Sequence, residues 1–396
     1  MSLNDTGNTV VLVLDANQRS ALAVTRSIGE LESTRVITTD SMGHALAENS
    51  RFSHLYLQCP STKNSPDAFV NWLSEVIVKY SINLLLPVTE ITSQLILIYK
   101  DRLPNVELPF ASYQQVMNIA NKVKITRIAP QLNIPVPKSK FYSCAEELDV
   151  NNQKFPCVLK PSLSHIFENN RWISTHVRIL QSTRDLKEAL DNDKYLATHE
   201  FMIQEFIPGH GAGIFCFYDK GEPKVFFAHR RIREKPPWGG VSVLSESIAI
   251  DEPLKNYAQS LLNNVKWHGV AMVEFRVDTA GKPYLMEVNT RFWGSLQLAI
   301  DSGVNFPHWV YSSQMKTAAP IAEEYRKGVR LRWLLGDIDG LFIYLKSERY
   351  TLVDKITRCM QFLMIRPLRT KHEINRFLDI KPALFEFKVY IRQFIQ

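Results

Sequence analysis

The residues in this sequence best placed to do chemistry lie between Val270 and Gly294. Val270 to Asp278 and Pro283 to Thr290 read as two strands joined by Asp278-Thr-Ala-Gly-Lys282, a hairpin loop containing glycine. Side chains on a strand alternate faces. Leu285, Glu287 and Asn289 are therefore expected on one face, with Met286 and Val288 on the other. Glu274 stands between Val273 and Phe275, both apolar. Regular pairing sets Glu274 beside Glu287, so two carboxylates and an amide oxygen meet in an apolar setting. Like charges buried together are costly unless a cation lies between them. An all-oxygen set of this kind suits Mg²⁺, or Mn²⁺, with phosphates and water completing the shell. The apolar flanks on both strands weigh against two glutamates that simply face solvent. Arg291 follows at once, ahead of Phe292-Trp-Gly294. A guanidinium there suits a transferring phosphoryl group or a substrate carboxylate.

Such a hairpin needs a scaffold, and the upstream sequence reads as one. Thr9-Val-Val-Leu-Val-Leu14 is a continuous apolar run, as in a strand buried on both faces. A helix from about Ser20 to Leu31, a strand at Arg35 to Thr38, a helix over Val70 to Tyr80 and a strand within Asn83 to Val88 follow. Strands alternating with helices imply a parallel α/β sheet. The loop Asp15-Ala-Asn-Gln-Arg19 has no GxGxxG, so this region carries no dinucleotide signature. One helix is expected from Ser112 to Leu132, closed by the prolines of Ile134-Pro-Val-Pro137. Short strands follow at Phe155-Pro-Cys-Val-Leu-Lys-Pro161 and Met202 to Gly209, then a strand over Val225 to Ile232 and a helix over Leu254 to Val265.

Met272-Val-Glu-Phe275, then Gly281-Lys-Pro283, then Met286-Glu-Val-Asn-Thr-Arg291 resemble, in this order, the metal-binding end of the ATP-grasp superfamily. The resemblance implies an α/β fold. A Rossmann-like domain (residues 1–110) precedes a two-lobed α+β ATP-grasp unit. Its small lobe is 111–200 and its large lobe, with the metal site, 201–318. A basic, mostly helical extension (319–396) ends the chain. It implies Mg-dependent use of ATP to turn a carboxylate into an acyl phosphate, which an amine or similar nucleophile attacks, releasing ADP and phosphate. Glu274, Glu287 and Asn289 would hold the metal. Lys122, with Lys124 as a competitor, and Lys160 would contact ATP. Gln204, Glu205, Phe206 and Ile207 would form the adenine hinge, with the Glu205 carboxylate and the Ile207 backbone reading the base. Arg291, with Arg231 or Arg233 from the stretch His229 to Ser242, would stabilise the transferring group. Gly239 and Gly240 would let backbone N–H groups approach an anion.

Two departures stand out. The family's glycine-rich phosphate loop is replaced by Ser162-Leu-Ser-His-Ile-Phe-Glu-Asn-Asn-Arg171, which has no glycine. Ala212 and Gly213 occupy the usual place of a ribose contact, leaving it unassigned. A nucleotide-binding regulatory module without turnover therefore stays open as a second reading.

The 396 residues are 45% hydrophobic, enough for several cores. No apolar run is long enough to span a bilayer. Met1 to Gly7 lacks the pattern of a signal peptide, so the cytoplasm is the expected compartment. The five cysteines are scattered and show no CxxC, which argues against a disulfide framework or a zinc site. Of the net charge of +7, Glu323 to Gln396 carries 15 Lys or Arg against 9 Asp or Glu. An anionic partner or a membrane surface is one reading of that region, and dispersed solvated charge is the other. Small-molecule carboxylate and nucleophile substrates are expected, and a homo-oligomer is compatible with the sequence.

Overall fold

The computed structural model describes residues 9–321, 324–364 and 369–395. Met1 to Gly7, read above for targeting, lies outside the described residues. Strands β1 (Thr9–Val13), β2 (Thr34–Asp40), β3 (Leu55–Gln58) and β4 (Leu84–Leu86) form one parallel sheet in the order 3-2-1-4. Val11, Leu12 and Val13 are fully buried, as the continuous apolar run requires of a strand covered on both faces. At the end of β1 the Asp15 carboxylate accepts from Thr92 Oγ1 at 2.6 Å and from the backbone N–H groups of Val88 and Thr89 at 3.0 and 2.9 Å. It thus occupies donors at the start of the helix Glu90–Ile98 that a bound phosphate would otherwise use.

The helix expected over Ser112 to Leu132 is broken. The Asn121 side chain accepts from the Lys124 N–H at 2.9 Å, capping a second helix, Lys122–Ile128, directly after Tyr113–Ala120. The break matters because it puts Lys122 in a buried first turn. Strands β5 (Ser139–Tyr142), β6 (Cys157–Pro161), β9 (Arg178–Leu180) and β10 (Phe201–Glu205) form an antiparallel sheet, ordered 5-10-6-9. Between β6 and β9, β7 (His165–Glu168) and β8 (Arg171–Ser174) pair as a separate hairpin. Its turn, Asn169-Asn170, has φ values of 50° and 59°. Asparagine tolerates this left-handed region, so the segment turns without glycine. The hairpin docks beside the parallel sheet. Trp172 is buried in the core with Leu12, Ile37 and Leu85 and donates Nε1–H to the Thr62 carbonyl at 3.1 Å, and Asn170 Nδ2 donates to Asp67 at 2.6 Å.

The largest sheet has seven strands: β11 (Gly209–Asp219), β12 (Glu222–Lys235), β13 (Val241–Ser247), β14 (Gly269–Asp278), β15 (Pro283–Asn289), β16 (Arg330–Arg332) and β17 (Thr370–His372). Their order is 15-14-11-12-13-16-17. The last two come from the basic C-terminal region. Among the described residues that region adds three helices, Leu334–Lys346, Leu352–Leu363 and Lys381–Ile395, and also completes the sheet. It is fastened to the helix Arg19–Gly29 by Arg26, which pairs with Asp379 at 2.8 Å and donates to the carbonyls of Glu373 and Ile374. All five cysteines are free thiols. Among the described residues no helix is long and apolar enough to cross a membrane.

Candidate active site

The β14–β15 register places Glu274 directly opposite Glu287, with Met272 opposite Asn289. The pairing slips by one residue between Glu274 and Phe275, so Phe275 faces Leu285 and Met286 is the extra residue. This corrects one expectation. Leu285 does not share a face with Glu287; it is buried with Val273, Phe275 and Val288. Met286 instead joins Glu287 at a cavity of about 630 Å³, which also takes in Lys160, Arg231, Glu274 and Arg291. One bulge therefore exchanges an aliphatic wall for a thioether next to the acids.

Every charge at this site has a partner. Arg231 Nη2 lies 3.1 Å from Glu274 Oε2, and Asn289 Nδ2 donates to Glu274 Oε1 at 2.9 Å. Lys122 Nζ is 3.5 Å from Glu287 and donates to Ser164 Oγ at 2.8 Å. Lys124 is exposed, and among the described residues its ammonium bonds only to Asn118, at 3.2 Å, so Lys122 is the lysine the fold delivers. Lys160 Nζ meets the Met286 sulfur at 3.4 Å. Burial pushes the Lys160 ammonium down to about 8 and Lys122 adds to the shift, while Glu287 and Glu274 oppose it. Burial and the Glu287 charge push Glu274 up. Burial would also raise Glu287, but Lys122 and Lys160 outweigh it and hold that carboxyl below its usual range.

The donor set fits a hard divalent cation. Among the described residues no three His, Cys, Asp or Glu side chains converge as a complete metal cage. What converges is two facing carboxylates and the Asn289 amide, whose oxygen lies beside Arg291 at 3.5 Å. One or two carboxylates with room left for phosphates is the Mg²⁺ pattern.

Other expected residues fall elsewhere. Arg233 is not at this cavity. The β12–β13 pairing slips between Arg231 and Arg233, and the redirected Arg233 donates Nε to Asp337 at 2.7 Å, deep in the C-terminal region. Arg233→Ala leaves Asp337 partly unpaired in a fully buried position. Because Arg332 still pairs with Asp337, it is expected to destabilise the fold by about 1–3 kcal/mol, the cost of a buried group losing one partner, read as a lower denaturation midpoint. Arg231→Ala should lower stability far less, and this difference separates the two neighbours. Gln204 is also turned away, donating to Ser139 Oγ at 3.0 Å from a buried position. Glu205 is exposed at the end of β10, and neither it nor Phe206 lines the cavity. The Ile207 carbonyl is tied to it through Arg276 Nε at 3.2 Å.

Three contributors were not anticipated. Arg19, on the first helix, reaches the cavity, stacks 4.0 Å over Trp333 and pairs with Glu373. His229 and Ser295 join at 2.8 Å beneath it. His229 stacks on Phe215 with 4.5 Å between ring centres, and burial holds its pKa at about 3, so the ring is neutral. Of these only His229 had a sequence signal, heading the arginine-rich stretch. Gly240 is a required glycine: a Cβ there would sit 2.2 Å from the Lys235 carbonyl oxygen.

An antiparallel small lobe and a larger sheet, with acids on one and a lysine on the other facing a shared cavity, define the ATP-grasp fold. Residues 197–336 match a family described as ATP-grasp in the biosynthetic pathway with Ter operon. That match holds the acidic hairpin, Arg231 and Arg291, but neither lysine. Among solved structures, the chain resembles biotin carboxylase from Campylobacter jejuni (TM-score 0.63, 16% identity, 81% of this chain and 74% of that one). It resembles N5-carboxyaminoimidazole synthetase from Staphylococcus aureus similarly (0.62, 13%, 86% of each). L-amino acid ligase from Bacillus licheniformis is a third likeness (0.59, 17%, 79% and 76%). At these identities the likeness speaks for the fold. No curated protein sequence matches the chain.

Proposed function

We propose that this protein is an ATP- and Mg-dependent ligase that activates a carboxylate as an acyl phosphate for attack by an amine or a similar nucleophile. The observation that carries the reading is Glu274 facing Glu287 across one hairpin, in a cavity also reached by Lys160, Arg231 and Arg291. Glu274, Glu287 and Asn289 would hold the metal, which when bound neutralises phosphate charge. Lys122 and Lys160 would bind the phosphates as point charges. Arg291 and Arg231 would steady the γ-phosphoryl group while a substrate carboxylate oxygen attacks it in line and ADP leaves. The nucleophile then displaces phosphate from the acyl carbon. Glu205, Phe206 and Ile207 would receive the adenine. A reducing cytoplasm suits the five free thiols. A homo-oligomer is the occupant we favour for the exposed apolar residues of the C-terminal helices. Phosphorus NMR of the protein with Mg·ATP and pooled carboxylates and amines tests the reading. Pool-dependent ADP and phosphate support it, whereas AMP and pyrophosphate would replace it with adenylation. ATP binding without turnover would favour a regulatory nucleotide-binding module, a reading the docked β7–β8 hairpin also accommodates.

A further inference from the structure

A second cavity, about 660 Å³, shares strands β12 and β13 with the first but none of its lining residues. Four arginines line it: Arg233, Arg330, Arg332 and Arg358. Two carboxylates answer them. Asp337 is shared by Arg233 and Arg332, and Glu246 is shared by Arg330 and Arg230. The lining guanidiniums thus exceed their carboxylates by two charges. Two observations show that donors are left over. Arg332 is 2% exposed, yet its Nη2 has no hydrogen-bond partner among the described residues. Among the described residues Arg358 forms no ion pair; it lies over the Tyr344 ring, 5.5 Å from its centre, and its buried Nε has no hydrogen-bond partner. Unpaired buried donors of this kind are costly. Burial pushes both Arg332 and Arg358 below the ordinary arginine range, Arg233 adding to the effect at Arg358. An entering anion would reverse that.

We infer that the four-arginine cavity is a second oxyanion site, taking a ligand with a phosphate-type dianion. Guanidinium forks match such oxygens with paired hydrogen bonds. Leu244, Ile232 and Met364 on the wall would accept an apolar portion of the same ligand. The phosphate belongs either to a soluble phosphomonoester or to a lipid headgroup.

The test uses the full chain and is independent of any ligase activity. Phenyl phosphate and glycerol 3-phosphate are titrated calorimetrically, and capture is measured on phosphatidylcholine vesicles with and without phosphatidic acid. Arg358 is half-buried and outside the ion pairs, so Arg358→Gln should fold; Arg358→Lys keeps the charge. Binding by any of the three probes that weakens tenfold or more in Arg358→Gln, is partly restored in Arg358→Lys and is unchanged in Lys160→Met supports the site. The probe that binds names the source. No binding by the wild type, a change of threefold or less in Arg358→Gln, or loss in Lys160→Met with retention in Arg358→Gln would overturn it.

Discussion

Glu287→Gln is expected to cut kcat by about 10²- to 10³-fold, the scale of removing one preorganised electrostatic partner, while leaving the fold intact. The substitution keeps shape and removes one charge from the centre of the site. Three consequences follow from the geometry. The facing pair loses half of its negative charge, so the apparent affinity for Mg²⁺ falls and the metal titration moves to higher concentration. Lys122 loses the carboxylate 3.5 Å away, and Lys160 loses the charge that most supports its protonated form. Glu274 is released from the repulsion that raises its pKa and stays tied to Arg231 at 3.1 Å. Stability should change little, because lost repulsion and lost pairing oppose one another. Steady-state kinetics across a Mg²⁺ series, with the exposed Glu252→Gln as a control, measures this. Activity within threefold of wild type, with an unshifted metal curve, would remove the hairpin from the mechanism.

The acidic hairpin was legible because it depends on local rules. A Gly-containing loop between two apolar runs sets the pairing, and pairing sets Glu274 against Glu287. The parallel opening sheet was legible for the same reason, from Thr9-Val-Val-Leu-Val13 and Leu84-Leu-Leu86. What was not legible turned on single residues that break periodicity. The bulges at Met286 and Ile232 reverse the faces of Leu285 and Arg233, and alternation alone cannot place a bulge. The break at Asn121 exchanges a surface helix for a buried Lys122, and only a cap residue in mid-helix hinted at it. Arg19 was invisible because its approach to the cavity depends on Glu373 and Trp333, more than three hundred residues away in sequence. The C-terminal strands were hidden likewise. Three residues each, they are strands only because β13 offers an edge.

Lys160→Met is expected to weaken ATP binding about 10- to 100-fold, since hydrogen bonds to charged groups are worth roughly 1.5–3 kcal/mol, and at the same time to stabilise the fold. Lys160 is 7% exposed, and burial lowers its pKa from 10.5 to about 8. At pH 7 the native protein therefore holds a desolvated ammonium, at a cost on the order of 3 kcal/mol by the conversion of about 1.4 kcal/mol per pKa unit. Methionine fills the same volume without that cost, less what Glu287 loses as a partner. The sign with pH follows from proton counts. Below about 8 the lysine is protonated in both native and unfolded chains, and the penalty is constant. Between about 8 and the unfolded value of 10.5 the unfolded chain binds the extra proton, so this group makes wild-type stability rise with pH. The stability advantage of Lys160→Met should thus be full at pH 7 and close as pH approaches 10.5. ATP affinity should move the opposite way. In the wild type it declines as pH passes about 8, because the proton that attracts the phosphates is leaving, and in Lys160→Met the lysine-dependent part of that decline is absent. Denaturation midpoints and ATP binding, both measured from pH 6.5 to 10, separate the two effects. A variant less stable than wild type at pH 7, or an unchanged pH dependence of ATP binding, would mean that Lys160 is a packing residue whose charge the site does not use.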